Sequence, residues 1–155
     1  MNIKKTKFMK VGKDAIDDSI NIFIDDKKLE EISEFKYLGH VITSEGSDEK
    51  AIKDRIILGW AAYSKKKAVL KNKKVSKKVK ARIVETYIYP VVAYGLEVVT
   101  WNTSKINKIQ TFQNDLMRYM LGKRRIDKVK IEKLKEDTGL PVSYTHLTLP
   151  TKRIV

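Results

Sequence analysis

The sequence predicts an α+β protein: a short antiparallel hairpin or meander of strands at the N-terminus, then a basic bundle of three to four α-helices. Three observations predict it. Apolar residues alternate early in the chain, as Ile20, Ile22 and Ile24 do, which is the period of a strand. Beyond Thr43 they recur at helical spacing. Charge follows the same division. Residues 1–49 hold 8 Lys/Arg and 11 Asp/Glu, residues 50–90 hold 13 and 2, and residues 91–155 hold 12 and 6, so the three stretches carry −3, +11 and +6 of the net +14.

The elements follow in order. Lys5 to Val11 alternates weakly and stops at Gly12. Ile20 to Ile24 reads as a strand, Asp25-Asp26-Lys27-Lys28 as a polar turn, and Leu29 to Ile32 as the returning strand. Asp17-Asp18 reads as another turn. Phe35 to Thr43 is expected as one further strand, closed by Ser44-Glu45-Gly46-Ser47. Ser47 suits a helix N-cap, with Asp48 and Glu49 where the helix dipole favours anions. Ile52, Ile56, Gly59 or Trp60, and Tyr63 mark the inner face of a first helix. Ser76 caps a second, with Val79, Ile83, Tyr87 and Val91 on one face. Pro90 should kink or split it. Val91 to Val99 is rich enough in apolar residues to be expected inside. Thr103 or Ser104 is expected to cap a third helix lined by Ile106, Ile109, Phe112, Leu116, Met117 and Met120, with Gly122 as its stop. Asp127 is expected to cap a fourth, with Ile131 and Leu134 inward, ended by Gly139 and Pro141.

Composition excludes several functions. There is no cysteine, and His40 and His146 are the two histidines. Disulfides, Cys-containing zinc sites and His-based metal cages are therefore not expected. No apolar run reaches the roughly 18 residues of a membrane span. Met1-Asn2-Ile3-Lys4-Lys5 lacks the apolar core of a signal peptide. The expectation is a soluble, intracellular chain with no membrane partner. Basic charge gathered in the helical part points to a polyanion, most simply nucleic acid. Lys65, Lys66, Lys67, Lys71, Lys73, Lys74, Lys77, Lys78, Lys80 and Arg82 surround the turn between the first two helices. Lysines on flexible stems suit phosphate contact and not base reading. The competing reading is a solvated lysine-rich face. Lys123-Arg124-Arg125 is a smaller cluster of the same kind. Trp60, Tyr63, Tyr87, Tyr94 and Trp101 are expected in the core, because they fall on apolar helical faces. The last residues, 142–155, carry no periodicity and no acidic residue, and the string resembles translated read-through of a sequencing adaptor.

Five motifs, in order, resemble the C-terminal part of the reverse transcriptase of non-LTR (LINE-type) retrotransposons. Asn2-Ile3-Lys4-Lys5-Thr6-Lys7 is similar to the lysine segment that follows the catalytic strands of the palm. Phe35-Lys36-Tyr37-Leu38-Gly39 resembles the primer-grip strand, and Ile42-Thr43-Ser44-Glu45-Gly46 continues it. Tyr87 with Pro90, Val91, Tyr94, Gly95 and Glu97 resembles a thumb helix, although Trp101 lies four residues past Glu97 and not two. Phe112-Gln113-Asn114 with Arg118, Leu121-Gly122 and Asp127 resembles the closing segment. The resemblance covers residues 1–141. It divides residues 1–141 into a palm end (1–46) and a thumb-like helical domain (47–141), and leaves 142–155 as the adaptor-like tail.

The resemblance implies RNA-directed DNA polymerase as the parent activity, with Mg²⁺ as the parent's metal and the nucleus as a candidate location. It implies a grip on the primer end by Tyr37, Leu38 and Gly39. It also implies Lys4, Lys5 and Lys7 near phosphates, and backbone-level binding of an RNA/DNA duplex by the lysine cluster. The family's metal-holding aspartates precede its lysine segment. Phe23-Ile24-Asp25-Asp26 follows it, so Asp25 and Asp26 are expected as turn residues. No catalytic residue, cofactor or polymerase activity is therefore expected of this chain alone. Two other readings stay open: a free-standing basic nucleic-acid-binding module, and an inert product of a decayed retroelement.

Overall fold

The computed structural model describes residues 6–12 and 21–140. Lys4, Lys5, Ile20, the Asp17-Asp18 turn, Pro141 and the tail 142–155 lie outside them. The fold is α+β, strands first and helices after. No described helix is long and apolar enough to cross a membrane. The chain divides into two units, one ending at Ala51 and one beginning at Ile52.

In the first unit the described residues form three two-stranded ladders. β1 (Lys7–Phe8) runs parallel to β4 (Glu30–Glu31), β2 (Phe23–Ile24) is antiparallel to β3 (Lys27–Lys28), and β5 (Glu34–Tyr37) is antiparallel to β6 (His40–Thr43). Asp25 and Asp26 turn the β2–β3 hairpin with φ of 47° and 57°. Short Asp side chains tolerate this left-handed region, and the resulting twist matches that of a hairpin. The turn is thus two residues and not the expected four. The returning strand is Lys27–Lys28, and the expected return at Leu29–Ile32 instead sets Glu30–Glu31 beside β1. Leu29 is buried, and its N–H donates to the Ile22 carbonyl at 2.8 Å.

The stretch Phe35–Thr43 is not one strand. Tyr37 pairs with His40, and Leu38 and Gly39 between them turn at φ of 47° and 81°. Gly39 adopts that region freely, and its neighbour follows to close the hairpin. Ser47 caps the helix after it: Thr43 Oγ1 accepts from the Ser47 N–H at 3.1 Å, and Ser47 Oγ accepts from the Glu49 N–H at 3.3 Å.

The rest is helical: α1 (Glu49–Lys71), α2 (Lys77–Tyr87), α3 (Tyr89–Ala93), α4 (Thr103–Leu121) and α5 (Ile131–Thr138), with 3-10 turns at Leu96–Val98 and Arg125–Asp127. Ile52, Gly59, Tyr63 and Leu70 of α1 are buried at spacings of whole turns. Ile88 ends α2, and Pro90 stands in the first turn of α3, where a helix has no use for its missing N–H. The inner face of α2 and α3 is Ala81, Val84, Ile88 and Val92. This lies one residue away from the expected face, and it leaves Val79 and Tyr87 exposed. Val92, Leu96 and Val99 are buried as expected, but Tyr94 and Val98 of the same stretch are exposed.

Asn102 caps α4, in place of Thr103 or Ser104; its Oδ1 accepts from the Lys105 N–H at 2.9 Å. At the other end Gly122 turns at φ 67°, the Lys123 N–H donates to the Arg118 carbonyl at 2.9 Å, and the Gly122 N–H donates to that of Tyr119 at 3.3 Å. These two bonds satisfy carbonyls that the helix end would leave bare. Asp127 does not cap α5. Its Oδ2 accepts from the Arg124 N–H at 2.7 Å within the preceding 3-10 turn, and α5 begins at Ile131. Leu134 is buried, whereas Ile131 is exposed.

α1 and α4 meet through aromatic rings. Trp60 stands edge-on to Phe112 at 5.0 Å, to Tyr119 at 5.4 Å and to Tyr63 at 5.8 Å between ring centroids, the geometry that ring quadrupoles favour. Beside it Gly59 leaves no room for a side chain: a Cβ there would stand 2.4 Å from Val92 Cγ2 and 2.9 Å from Phe112 Cζ.

Gly59→Ala is expected to destabilise the helical unit. Overpacking costs about 1–3 kcal/mol, against roughly 1 kcal/mol of gained helix propensity. A lower urea midpoint would register the difference; an unchanged or higher one would show that the helices can part without cost. Tyr89 supplies a pH dependence. Burial, and after it the Glu85 carboxylate, hold its hydroxyl above the ordinary tyrosine value of 10.0. The folded state therefore keeps a proton that the unfolded chain loses, so this contribution is intact below pH 10 and fades as pH rises above it. The urea midpoint should fall between about pH 9 and about pH 11, and fall less in Tyr89→Phe.

Candidate nucleic-acid interface

The last turns of α1, the loop after it and the start of α2 hold ten basic residues between Lys65 and Arg82, and no acidic residue. The loop has a defined shape. Asn72 Oδ1 accepts from the Lys74 N–H at 2.9 Å, the Asn72 N–H donates to the Val69 carbonyl at 3.2 Å, and the Val75 N–H donates to the Asn72 carbonyl at 3.3 Å. Ser76 caps α2, with Oγ accepting from the Val79 N–H at 3.4 Å. Leu70 is buried and anchors the helix end. Local hydrogen bonds therefore turn the backbone, and the lysines are left to solvent.

Lys65, Lys67, Lys71, Lys73, Lys74, Lys77, Lys78 and Arg82 are exposed, and Lys66 and Lys80 are half-buried. Lys77 pairs with Asp137 of α5 at 3.6 Å. Among the described residues, Asp137 is the only carboxylate paired with the cluster. Lys66 Nζ lies over the ring of Tyr87 at 4.6 Å from its centroid, an attraction between ammonium and ring face. The charges work against the helix they stand on. Lys77 and Lys78 occupy the first turn of α2, which has no acidic residue, and cations at a helix N-terminus oppose its dipole. Neighbouring lysines lie within a Debye length and repel one another. A row of phosphates would relieve both costs.

The other predicted basic groups are placed differently. Lys7 of β1 pairs with Glu30 at 2.9 Å. Arg125 of the Lys123-Arg124-Arg125 cluster is tied to Asp115, its Nε donating to Oδ1 at 3.0 Å. That hydrogen bond, and then the charge of Asp115, strengthen its hold on its proton. Arg118 joins the same carboxylate at 3.3 Å. Arg125 thus braces the end of α4, whereas Lys123 and Arg124 beside it are exposed.

The grip-like residues stand at the tip of the β5–β6 hairpin. Tyr37 is 58% exposed and Leu38 72% exposed, and the Tyr37 ring stacks on that of Phe35 at 6.5 Å. A Leu at φ 47° carries backbone strain. Of the aromatic residues expected inside, Tyr63 is buried and Trp60 and Trp101 pack partly against the core, but Tyr87 and Tyr94 are exposed. Tyr94 carries the Arg55 guanidinium over its ring at 4.6 Å.

Sequence reasoning also missed a groove of about 900 Å³ between α1 and α4, lined by Ile56, Ile57, Trp60 and Phe112 with Lys53, Lys108 and Asp115. The adjacent pair Ile56-Ile57 was its signal, since two successive apolar residues cannot both face the core of one helix. Among the described residues no group of three or more His, Cys, Asp or Glu stands together as metal ligands would. No protein family, curated protein or solved structure matches the chain.

Self-repulsion in the lysine cluster makes a prediction. Raising NaCl from about 0.05 to about 0.5 M shortens the screening length from over 10 Å to under 5 Å, and should raise the melting temperature of the free protein. A melting temperature that falls over this range would mean that attraction, not repulsion, dominates its surface charge.

Proposed function

We propose that this chain binds nucleic-acid duplex through its sugar-phosphate backbone, without reading sequence, as the palm end and thumb of a non-LTR retrotransposon reverse transcriptase, and that it does not polymerise. The observation that carries the reading is the lysine cluster of residues 65–82: ten cations around a hydrogen-bonded turn, with a single carboxylate paired to them among the described residues. Lysine ammonium groups on flexible stems suit a phosphate row whose spacing varies little with sequence. The order of the five motifs supports the family. The exposed Tyr37 and Leu38 at a strained hairpin tip support a contact role for the grip-like stretch, because strain without packing gain often marks a functional position. In this reading Mg²⁺ and its carboxylates belong to the part of the parent enzyme that precedes the lysine segment. The chain's own residues hold the duplex and carry out no chemistry.

Fluorescence anisotropy with a labelled RNA/DNA duplex tests the reading. If about five phosphates are neutralised, log affinity falls with log salt at a slope near −4. Replacing Lys71, Lys73, Lys74 and Lys78 together with Gln should bring the slope to about −1, and unrelated duplex sequences should bind alike. Absence of binding at low ionic strength, or a slope unchanged by the four substitutions, would reject it.

A further inference from the structure

Charge alone does not account for the lysine face, because apolar side chains stand in it. α2 buries Ala81, Val84 and Ile88, and so turns Val79 and Tyr87 outward, 50% and 54% exposed. Val79 stands between Lys78 and Lys80, whereas Tyr87, two turns beyond Lys80 and two residues past Glu85, meets the basic cluster through Lys66 of α1. An exposed tyrosine ring at the border of a basic cluster, with one of its lysines in contact, combines the two elements by which proteins hold single strands: a charged track for the backbone and an aromatic face for the base. Tyr87 is also held in place. The Lys66 ammonium lies over its ring at 4.6 Å, which restrains the ring while more than half of the residue stays open to solvent.

We infer that Tyr87 is a stacking platform for an unpaired base, so that the helical unit prefers a duplex carrying a single-stranded overhang to a blunt one. The inference rests on the duplex-binding reading above and names the form of nucleic acid that this face takes. The lysines neutralise the backbone as it leaves the duplex, and the first unpaired base lies on the solvent side of the ring, with Lys66 on the other. Stacking reads no hydrogen-bonding edge, so the preference is for unpaired bases in general. The ring's apolar surface and the charge would also suit an anionic membrane, but the outward apolar side chains of this stretch, Val69, Val79 and Tyr87, are interspersed with lysines on two helices and do not form the one apolar face that a membrane surface takes.

Three probes sharing one duplex separate the effects: blunt, with a short oligothymidine overhang, and with an abasic overhang of the same length and charge. The full chain should bind the thymidine overhang about ten-fold more tightly than the abasic one, the worth of one or so stacked bases. Tyr87→Ala should remove that preference, leave blunt-duplex affinity and the salt slope unchanged, and unfold at the same temperature as the unsubstituted chain. Tyr87→Phe keeps the ring and should keep the preference. If Tyr87→Ala discriminates thymidine from abasic overhangs as the unsubstituted chain does, the platform is elsewhere and the inference fails, while blunt-duplex binding still supports the charge reading. If Tyr87→Ala weakens binding to phosphatidylserine vesicles and leaves the overhang preference intact, the ring serves a membrane and the inference fails. Loss of all duplex binding by the unsubstituted chain would reject the earlier reading and this one together.

Discussion

The helical unit depends on one close approach. At Gly59, α1 comes so near to Val92 and Phe112 that a single carbon atom would not fit. Trp60, the next residue, uses that proximity to set its ring edge-on against three others. A residue without a side chain and the largest side chain thus cooperate: one lets the backbones approach, and the other fills the volume alongside. Interiors packed to this density tolerate little change of volume. The rest of the buried set, from Ile52 and Leu70 to Leu116 and Leu134, is placed by helices whose relative position this contact defines.

The basic face follows from that core. α1 runs on for three turns past Gly59 to Lys71, and Leu70 secures its end. The chain then reverses through a loop that needs only Asn72 and Ser76 to hold its shape. No apolar contact is required of Lys71, Lys73 or Lys74, which frees these positions to carry charge. Stability is lost where Lys77 and Lys78 begin a helix that an acidic residue would begin better. In the proposed reading, a bound polyanion would offset that loss.

Fold class, strand-to-helix order, the Ser47 and Ser76 caps, the division at Pro90 and the glycine stops at 122 and 139 were all legible in the sequence. Each depends on residues close together in the chain. The inner face of α2 was not. Val79, Ile83, Tyr87 and Val91 have helical spacing, but so do Ala81, Val84, Ile88 and Val92, and the choice between two adjacent stripes rests on what packs against them. Leu38-Gly39 was missed as a turn because Leu is an unusual occupant of a left-handed position, whereas Asp25-Asp26 announces itself. Asp127 was misread because a carboxylate three residues after an exposed N–H closes a 3-10 turn as readily as it begins an α-helix. Of the candidate site, the charge was legible at once. The exposure of Tyr87, and its pairing with Lys66, required three dimensions.

The hairpin formed by β5 and β6 has a consequence for solution behaviour. Its two ladder strands end in a turn with both central residues at positive φ, and such turns impose strong right-handed coiling on a two-stranded ribbon. Phe35, Tyr37, Leu38 and Ile42 are exposed on it, a composition that in a flat strand would invite stacking with other copies. A coiled ribbon offers no straight border along which a second chain can lie, and Glu34 and Lys36 set charges of both signs among the apolar residues. The same backbone twist that brings an aromatic tip into solvent thus protects the protein from assembling through it.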